Sequence, residues 1–219
     1  MGGIFRFKQF QVDQQGCAMK INTDGVILGA ICGFSADAVS YRALDIGTGT
    51  GVIAMMLAQR FDTALIDAVE IDESAAQTAG RNFSASPFAE RLSVFNSDIA
   101  AFEISEAYDL IVSNPPYFVN DLKSFEKRKS IARHAEDSFF ESLVVKSSEF
   151  LSDNGLLWLI LPLKQADLVL SLAGRSGLHL KSVVNIQSDV SKPVIRKVIC
   201  LSKHIEQVKE ETFYIYESE

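Results

Sequence analysis

Cysteine is scarce: three in 219 residues, with Cys17, Cys32 and Cys200 odd in number and far apart. That pattern excludes a disulfide framework and a zinc knuckle, and it fits a reducing compartment. Long apolar runs are missing as well, since none approaches the roughly 18 residues that a bilayer-spanning helix needs. The opening Met1-Gly2-Gly3-Ile4-Phe5-Arg6 has no apolar signal core, and Arg6 stands where a myristoylation site wants Ser or Thr. A cytoplasmic protein without membrane association is expected. An excess of basic charge is lacking too: the net charge is −7, whereas proteins that coat nucleic acid through many phosphates are usually basic. Any nucleic-acid contact must then run through a local basic face, and Arg175 to Lys209 holds seven Lys or Arg against two acids. Repeats, low-complexity tracts and linkers are absent, so residues 1–219 read as one domain. With 47% apolar residues, the chain can bury a full core.

What is present is an alternation of strand and helix patterns. After a polar lead-in, Asp24 is placed to cap a short helix reaching about Gly33. Strands are expected at Ala43–Ile46, Leu65–Glu70, Leu92–Phe95, Tyr108–Val112 and Gly155–Leu161. Helices fall between them at Gly51–Arg60, Asp72–Phe83 and Ser138–Leu151, and a further one at Gln165–Ala173. The tail, with Val183-Val184, Val194–Leu201 and Phe213–Tyr216, reads as strands without intervening helices. This predicts an α/β, Rossmann-like fold: a mostly parallel, seven-stranded sheet with an antiparallel edge and helices on both faces. If the first five strands are ordered 3-2-1-4-5, strands one and four are neighbours at the switch point, where ligands bind beyond the strand ends. The segments leaving them are Gly47-Thr48-Gly49-Thr50-Gly51 and Asn114-Pro115-Pro116-Tyr117.

The glycine run exposes bare backbone between a strand and a helix, as a tight turn or a ligand cradle would. Its G-x-G-x-G spacing differs from the dinucleotide G-x-G-x-x-G. Asp45, ahead of the first glycine, suits a cationic ammonium and repels phosphate. Glu70, 19 residues after Gly51 and followed by Ile71, ends strand two where a carboxylate can accept both ribose hydroxyls. Asp98, after strand three, is placed to bond an adenine amino group. Each acid alone could be a helix cap or a solvated loop residue. Together around Gly47, Thr48, Gly49 and Gly51 they fit an adenosine with a zwitterionic tail, S-adenosyl-L-methionine.

Asn114-Pro115-Pro116-Tyr117 follows an apolar strand directly. Two prolines remove backbone donors and stiffen the chain, leaving carbonyls and the Asn side chain for a ligand. An amino nitrogen conjugated to a ring, or an amide nitrogen, is a poor nucleophile because its lone pair is delocalised. The Asn114 side-chain oxygen and the Pro115 carbonyl can each accept one of its hydrogens and stabilise the charge that grows on it. Tyr117 can stack on the flat substrate. His134 is given no catalytic role, because no strong base is required.

These features resemble the class I methyltransferases that act on amino nitrogen. Phe7-Lys8-Gln9-Phe10, Met19-Lys20-Ile21-Asn22-Thr23-Asp24-Gly25 and Arg133-His134 narrow the resemblance. They resemble the bacterial family that methylates adenine N6 in valine tRNA, beside the anticodon. The resemblance implies catalytic Asn114, Pro115, Pro116 and Tyr117, with Asp45, Gly47, Glu70, Asp98 and Asn114 itself along the cofactor. It also implies that Thr23, Asp24 and Gly25, in the helix closing the 1–40 lead-in, cover the same pocket. The implied partner is tRNA, with no metal and no obligate protein partner. Candidate phosphate contacts are Lys127, Arg128 and Arg133 after the motif, and Lys192, Arg196 and Lys197 near the tail; solvated loops and a charged edge strand explain the same residues. Protein glutamine N5-methylation uses the same motif chemistry, but only about forty residues precede strand one, too few for the usual helical substrate domain. The Tyr of the motif leans away from guanine N2 methylation of ribosomal RNA. A non-enzymatic module sensing S-adenosylmethionine would have no use for an intact Asn-Pro-Pro-Tyr.

Overall fold

The computed structural model describes residues 3–116 and 126–216, the side chains of 126–135 excepted. Two short strands, β1 (Ile4–Arg6) and β2 (Gln11–Asp13), form an antiparallel hairpin in the lead-in, where the sequence predicts no element. Helix α1 (Thr23–Ile31) follows. Its N-cap is Asn22, whose side chain accepts from the Gly25 N–H at 2.9 Å; Asp24 lies one position inside the helix, so the expected Asp24 cap is corrected. Then come β3 (Arg42–Ile46), α2 (Val52–Arg60), β4 (Leu65–Glu70), α3 (Glu73–Ser84), β5 (Leu92–Asn96) and β6 (Tyr108–Ser113). Helix α4 (Glu126–Phe150) leads into β7 (Leu151–Leu161), α5 (Leu163–Ala173), β8 (His179–Gln187), β9 (Val194–Ser202) and β10 (Lys209–Tyr214).

The main sheet has the order β10-β8-β9-β7-β6-β3-β4-β5. Its first five α/β strands are therefore arranged 3-2-1-4-5, the order under which the first and fourth become neighbours. Strands β5, β4, β3, β6 and β7 are parallel; β9 runs antiparallel to both β7 and β8. The sheet has eight strands rather than seven, because β10 pairs in parallel with β8 at the far edge.

Both faces of the central strands are covered, which explains their continuous apolar sequences. Along β7, Leu157, Leu159 and Leu161 join a core with Phe140, Leu143 and Val144 of α4 and Val169 of α5. Trp158 and Ile160, on the other face, join a core with Leu28 of α1, Met55 and Leu57 of α2 and Phe83 of α3. Among the described residues, no helix is long and apolar enough to cross a membrane.

Candidate active site

Strands β3 and β6 pair directly, with Ile46 opposite Ser113, and this brings the two loops together at the carboxyl end of the sheet. The Ser113 hydroxyl donates to the Ile46 carbonyl at 2.7 Å and ties the two strand ends one residue before Asn114. Above them lies a cleft of about 230 Å³. Gly47, Gly49, Glu70 and Ile71 line one side, Asn114, Pro115 and Pro116 another, and Cys17, Ala18, Met19 and Phe139 complete the wall.

The loop is held in shape by two acids, Asp45 just before it and Glu70 at the end of β4. Gly49 has φ +56, a left-handed conformation that favours glycine, and an added Cβ would point into open space. Its N–H donates to Glu70 Oε2 at 2.8 Å, while Glu70 Oε1 accepts from the Asp72 N–H at 3.0 Å. A carboxylate oxygen has more than one lone pair, so Glu70 can hold the loop and still accept ligand hydroxyls. The Asn96 side chain donates to the carbonyls of Glu70 and Ile71 at 2.8 and 3.1 Å, fixing the backbone that carries both. Gly51, φ +82, serves packing: a Cβ would lie 2.4 Å from the Phe83 ring.

Asp45 lies beneath the loop with 0% exposure. Its Oδ2 accepts from the Thr48 hydroxyl at 2.6 Å and from the Ala54 N–H in the first turn of α2 at 3.2 Å. Burial pushes the carboxyl up to about 7, against the pull of those two hydrogen bonds. Oδ1 is buried and makes no hydrogen bond with the described residues. Asp45 is therefore placed beneath the loop, with no exposed surface on the cleft itself. That buried, incompletely paired carboxylate, together with a bare backbone and an acid at the end of β4, fits a cationic nucleoside ligand.

The other expected site residues separate into groups. Thr48 turns its hydroxyl inward to Asp45 and is buried. Thr23, Asp24 and Gly25 form the first turn of α1 behind Asn114 rather than the cleft lining. A Cβ on Gly25 would lie 3.5 Å from Asn114 Nδ2. Asp98 is exposed, outside the described lining, and its carboxylate accepts from the Ala100 N–H at 2.9 Å. Tyr117 lies outside the described residues, as do the side chains of Lys127, Arg128, Arg133 and His134. Arg196 pairs with Asp24 at 2.9 Å, joining β9 to α1. Lys192 is exposed and Lys197 half-buried.

Sequence reasoning missed the wall formed by Cys17, Ala18 and Met19. The chain just before it is clamped by Asn82 of α3, which accepts from the Asp13 N–H at 2.9 Å and donates at 2.8 Å to the carbonyls of both Asp13 and Thr50. One buried amide thus ties the lead-in to the glycine loop. Phe139 stands out in the sequence only through the helical spacing of α4. A hollow of about 490 Å³ at the opposite ends of the strands is lined by residues that include Asp37, Ser40, Arg42, Glu106 and Asp109. Asp109 there is bonded to Ser40 and Ser152, and Glu106 to Arg42, so these two acids are engaged in holding the fold. No group of His, Cys, Asp and Glu among the described residues could hold a metal ion.

The methyltransferase small domain family matches residues 33–169, a span that includes both loops. A Pedobacter heparinus protein named tRNA1(Val) (adenine(37)-N6)-methyltransferase is 53% identical over 216 residues, covering 99% of this chain and 91% of that protein. One of the same name from Flavobacterium johnsoniae is 39% identical over 203 residues, covering 92% and 86%. Among solved structures, a predicted O-methyltransferase from Agrobacterium tumefaciens superimposes with a TM-score of 0.67 at 19% identity, covering 90% of this chain and 89% of that one. TrmN from Thermus thermophilus does so with a TM-score of 0.56 at 21% identity, covering 82% and 48%. These two structures share the fold, and the family follows from the sequence relatives: the chain belongs to the tRNA1(Val) (adenine(37)-N6)-methyltransferase family, on a methyltransferase small domain.

Proposed function

We propose that the protein methylates N6 of adenine 37 in tRNA1(Val), in the cytoplasm, using S-adenosyl-L-methionine. The observation that carries this reading is the meeting of Asn114-Pro115-Pro116 with Gly47, Gly49 and Glu70 in a single cleft. The printed name of a relative 53% identical along nearly the whole chain supports the choice of substrate.

When bound, S-adenosylmethionine supplies an electrophilic methyl group on a sulfonium. Glu70 accepts the ribose hydroxyls, Ile71 and Met19 give the nucleoside apolar walls, and the Asp45 charge favours a cationic ligand above the loop. Asn114 Oδ1 and the Pro115 carbonyl accept the two hydrogens of the adenine amino group. They hold its nitrogen toward the methyl donor and stabilise the positive charge that grows there. The proton lost afterwards passes to water, because the methylated cation is acidic. Tyr117 and Phe139 supply flat apolar surface to a base taken out of its stack.

Asn114→Ala tests the assignment. Turnover should be abolished while the calorimetric affinity for S-adenosylmethionine stays within about two-fold, since the residue acts on the transition state. Full activity in that variant would remove Asn114 from the chemistry.

A further inference from the structure

The N-cap of α1 touches the catalytic strand end. Asn22 Oδ1 accepts from the Gly25 N–H at 2.9 Å and from Asn114 Nδ2 at 3.3 Å. The first of these bonds settles the chemistry of the second. A backbone N–H can only donate, so the Asn22 atom facing it is the carbonyl oxygen. The Asn114 atom that meets the same oxygen must then be its NH₂, which places the Asn114 oxygen at the other end of its amide. An amide flipped about its last bond would set oxygen against oxygen, and Asn22 cannot flip to accommodate it without losing its cap.

We infer that Asn22 is a positioning residue that fixes which end of the Asn114 amide faces the substrate nitrogen. The inference rests on the proposed role of Asn114. An acceptor is needed there, because the adenine amino group brings hydrogens; an NH₂ in its place would repel them. Asn22 suits the task because its mount is rigid. Helix α1 is held to β9 by the Asp24–Arg196 ion pair at 2.9 Å. The helix backbone also passes close to both amides: a Cβ on Gly25 would sit 3.5 Å from Asn22 Oδ1 and from Asn114 Nδ2. The cap of one helix and the orientation of a catalytic side chain thus share a single oxygen atom.

Asn22→Ser separates these two duties. Serine caps a helix about as well as asparagine, but its shorter side chain cannot reach Asn114. The full-length variant should melt within about 2 °C of the parent, less than the several degrees that loss of a helix cap would bring, and keep its calorimetric affinity for S-adenosylmethionine. Its kcat on tRNA from cells lacking the enzyme should fall at least about ten-fold, the scale of a lost alignment. Asn22→Asp keeps an acceptor for both partners and should restore kcat to within about three-fold of the parent, a factor well below that lost alignment. A parental kcat in Asn22→Ser beside an inactive Asn114→Ala would overturn the positioning role alone. A parallel fall in melting temperature, cofactor affinity and kcat would also overturn it, because the cap would then be the whole effect. Full activity in Asn114→Ala would overturn the catalytic reading and this inference with it.

Discussion

Asp45 and Ile71 are unusual as single residues, and each carries a prediction. Ile71 is apolar, 68% exposed, and lines the cleft beside Glu70. An apolar side chain left in water at a cleft is a surface for a ligand to cover. Ile71→Ala should weaken S-adenosylmethionine by about 1–2 kcal/mol, roughly ten-fold in Kd by calorimetry, with the melting temperature of the free protein unchanged. Asp45 carries its test in pH. Its carboxyl is raised by burial from an ordinary 3.8 to about 7, so the folded protein holds this proton where the unfolded chain has released it. The stabilising effect of that proton is complete below 3.8 and is lost as pH rises through about 7. Asp45→Asn should therefore melt higher than the parent at pH 8, and lose that advantage in acid. A cationic ligand prefers the ionised form, so cofactor affinity should fall as pH drops below 7, by roughly ten-fold per unit at most for one coupled proton. Titration calorimetry across pH 5.5–8.5 checks this, and Asp45→Asn should flatten the profile.

At the scale of elements, the glycine loop and the N-terminal segment are a joined pair. Asn82 is buried and bonds Asp13 twice and Thr50 once. Asn82→Ala strands those backbone groups and should cost about 1–3 kcal/mol of stability. It should also weaken S-adenosylmethionine, because the Thr50 carbonyl of the glycine loop and the lead-in at Asp13 then lose their shared tie; a melt and a calorimetric titration measure both. This clamp also shows where sequence reading stops. The central elements are legible because each carries its own period: β3 to β7 are apolar runs, and the spacing of Phe139, Leu143 and Val144 marks α4. Strands β1 and β2 have three residues each, and only Val12 among them is buried, so no period exists to read. Their placement comes from bonds between residues 69 apart. The start of β7 is hidden for a different reason. Asp153-Asn154-Gly155 has the composition of a turn, yet it continues the strand opposite an irregularity between Tyr108 and Leu110 of β6. In the site, Asn114, Pro115, Gly47 and Glu70 are visible from motif and spacing. That Asp45 and Thr48 face inward, and that Asp98 binds its own turn, depends on side-chain direction, which spacing does not specify.

At the scale of the whole molecule, a protein of net charge −7 has to present RNA with a limited basic face. Lys192 and Lys197 are candidates on the β8–β9 hairpin, whereas Arg196 beside them is joined to Asp24. If they meet phosphates, Lys192→Ala and Lys197→Ala should each raise the KM for tRNA and reduce the salt slope of log K by about 1, leaving the choice of base unchanged. The rival chemistries, amide N5 and guanine N2, would use the same cleft and differ only in what enters it. The decisive measurement is therefore of product. Labelled S-adenosylmethionine should be incubated with the protein and total tRNA from cells lacking it, and the modified nucleoside mapped. N6-methyladenosine at position 37 of tRNA1(Val) is the expected product, absent with Asn114→Ala; label in protein glutamine or in guanine, or none in tRNA, would contradict the proposed function.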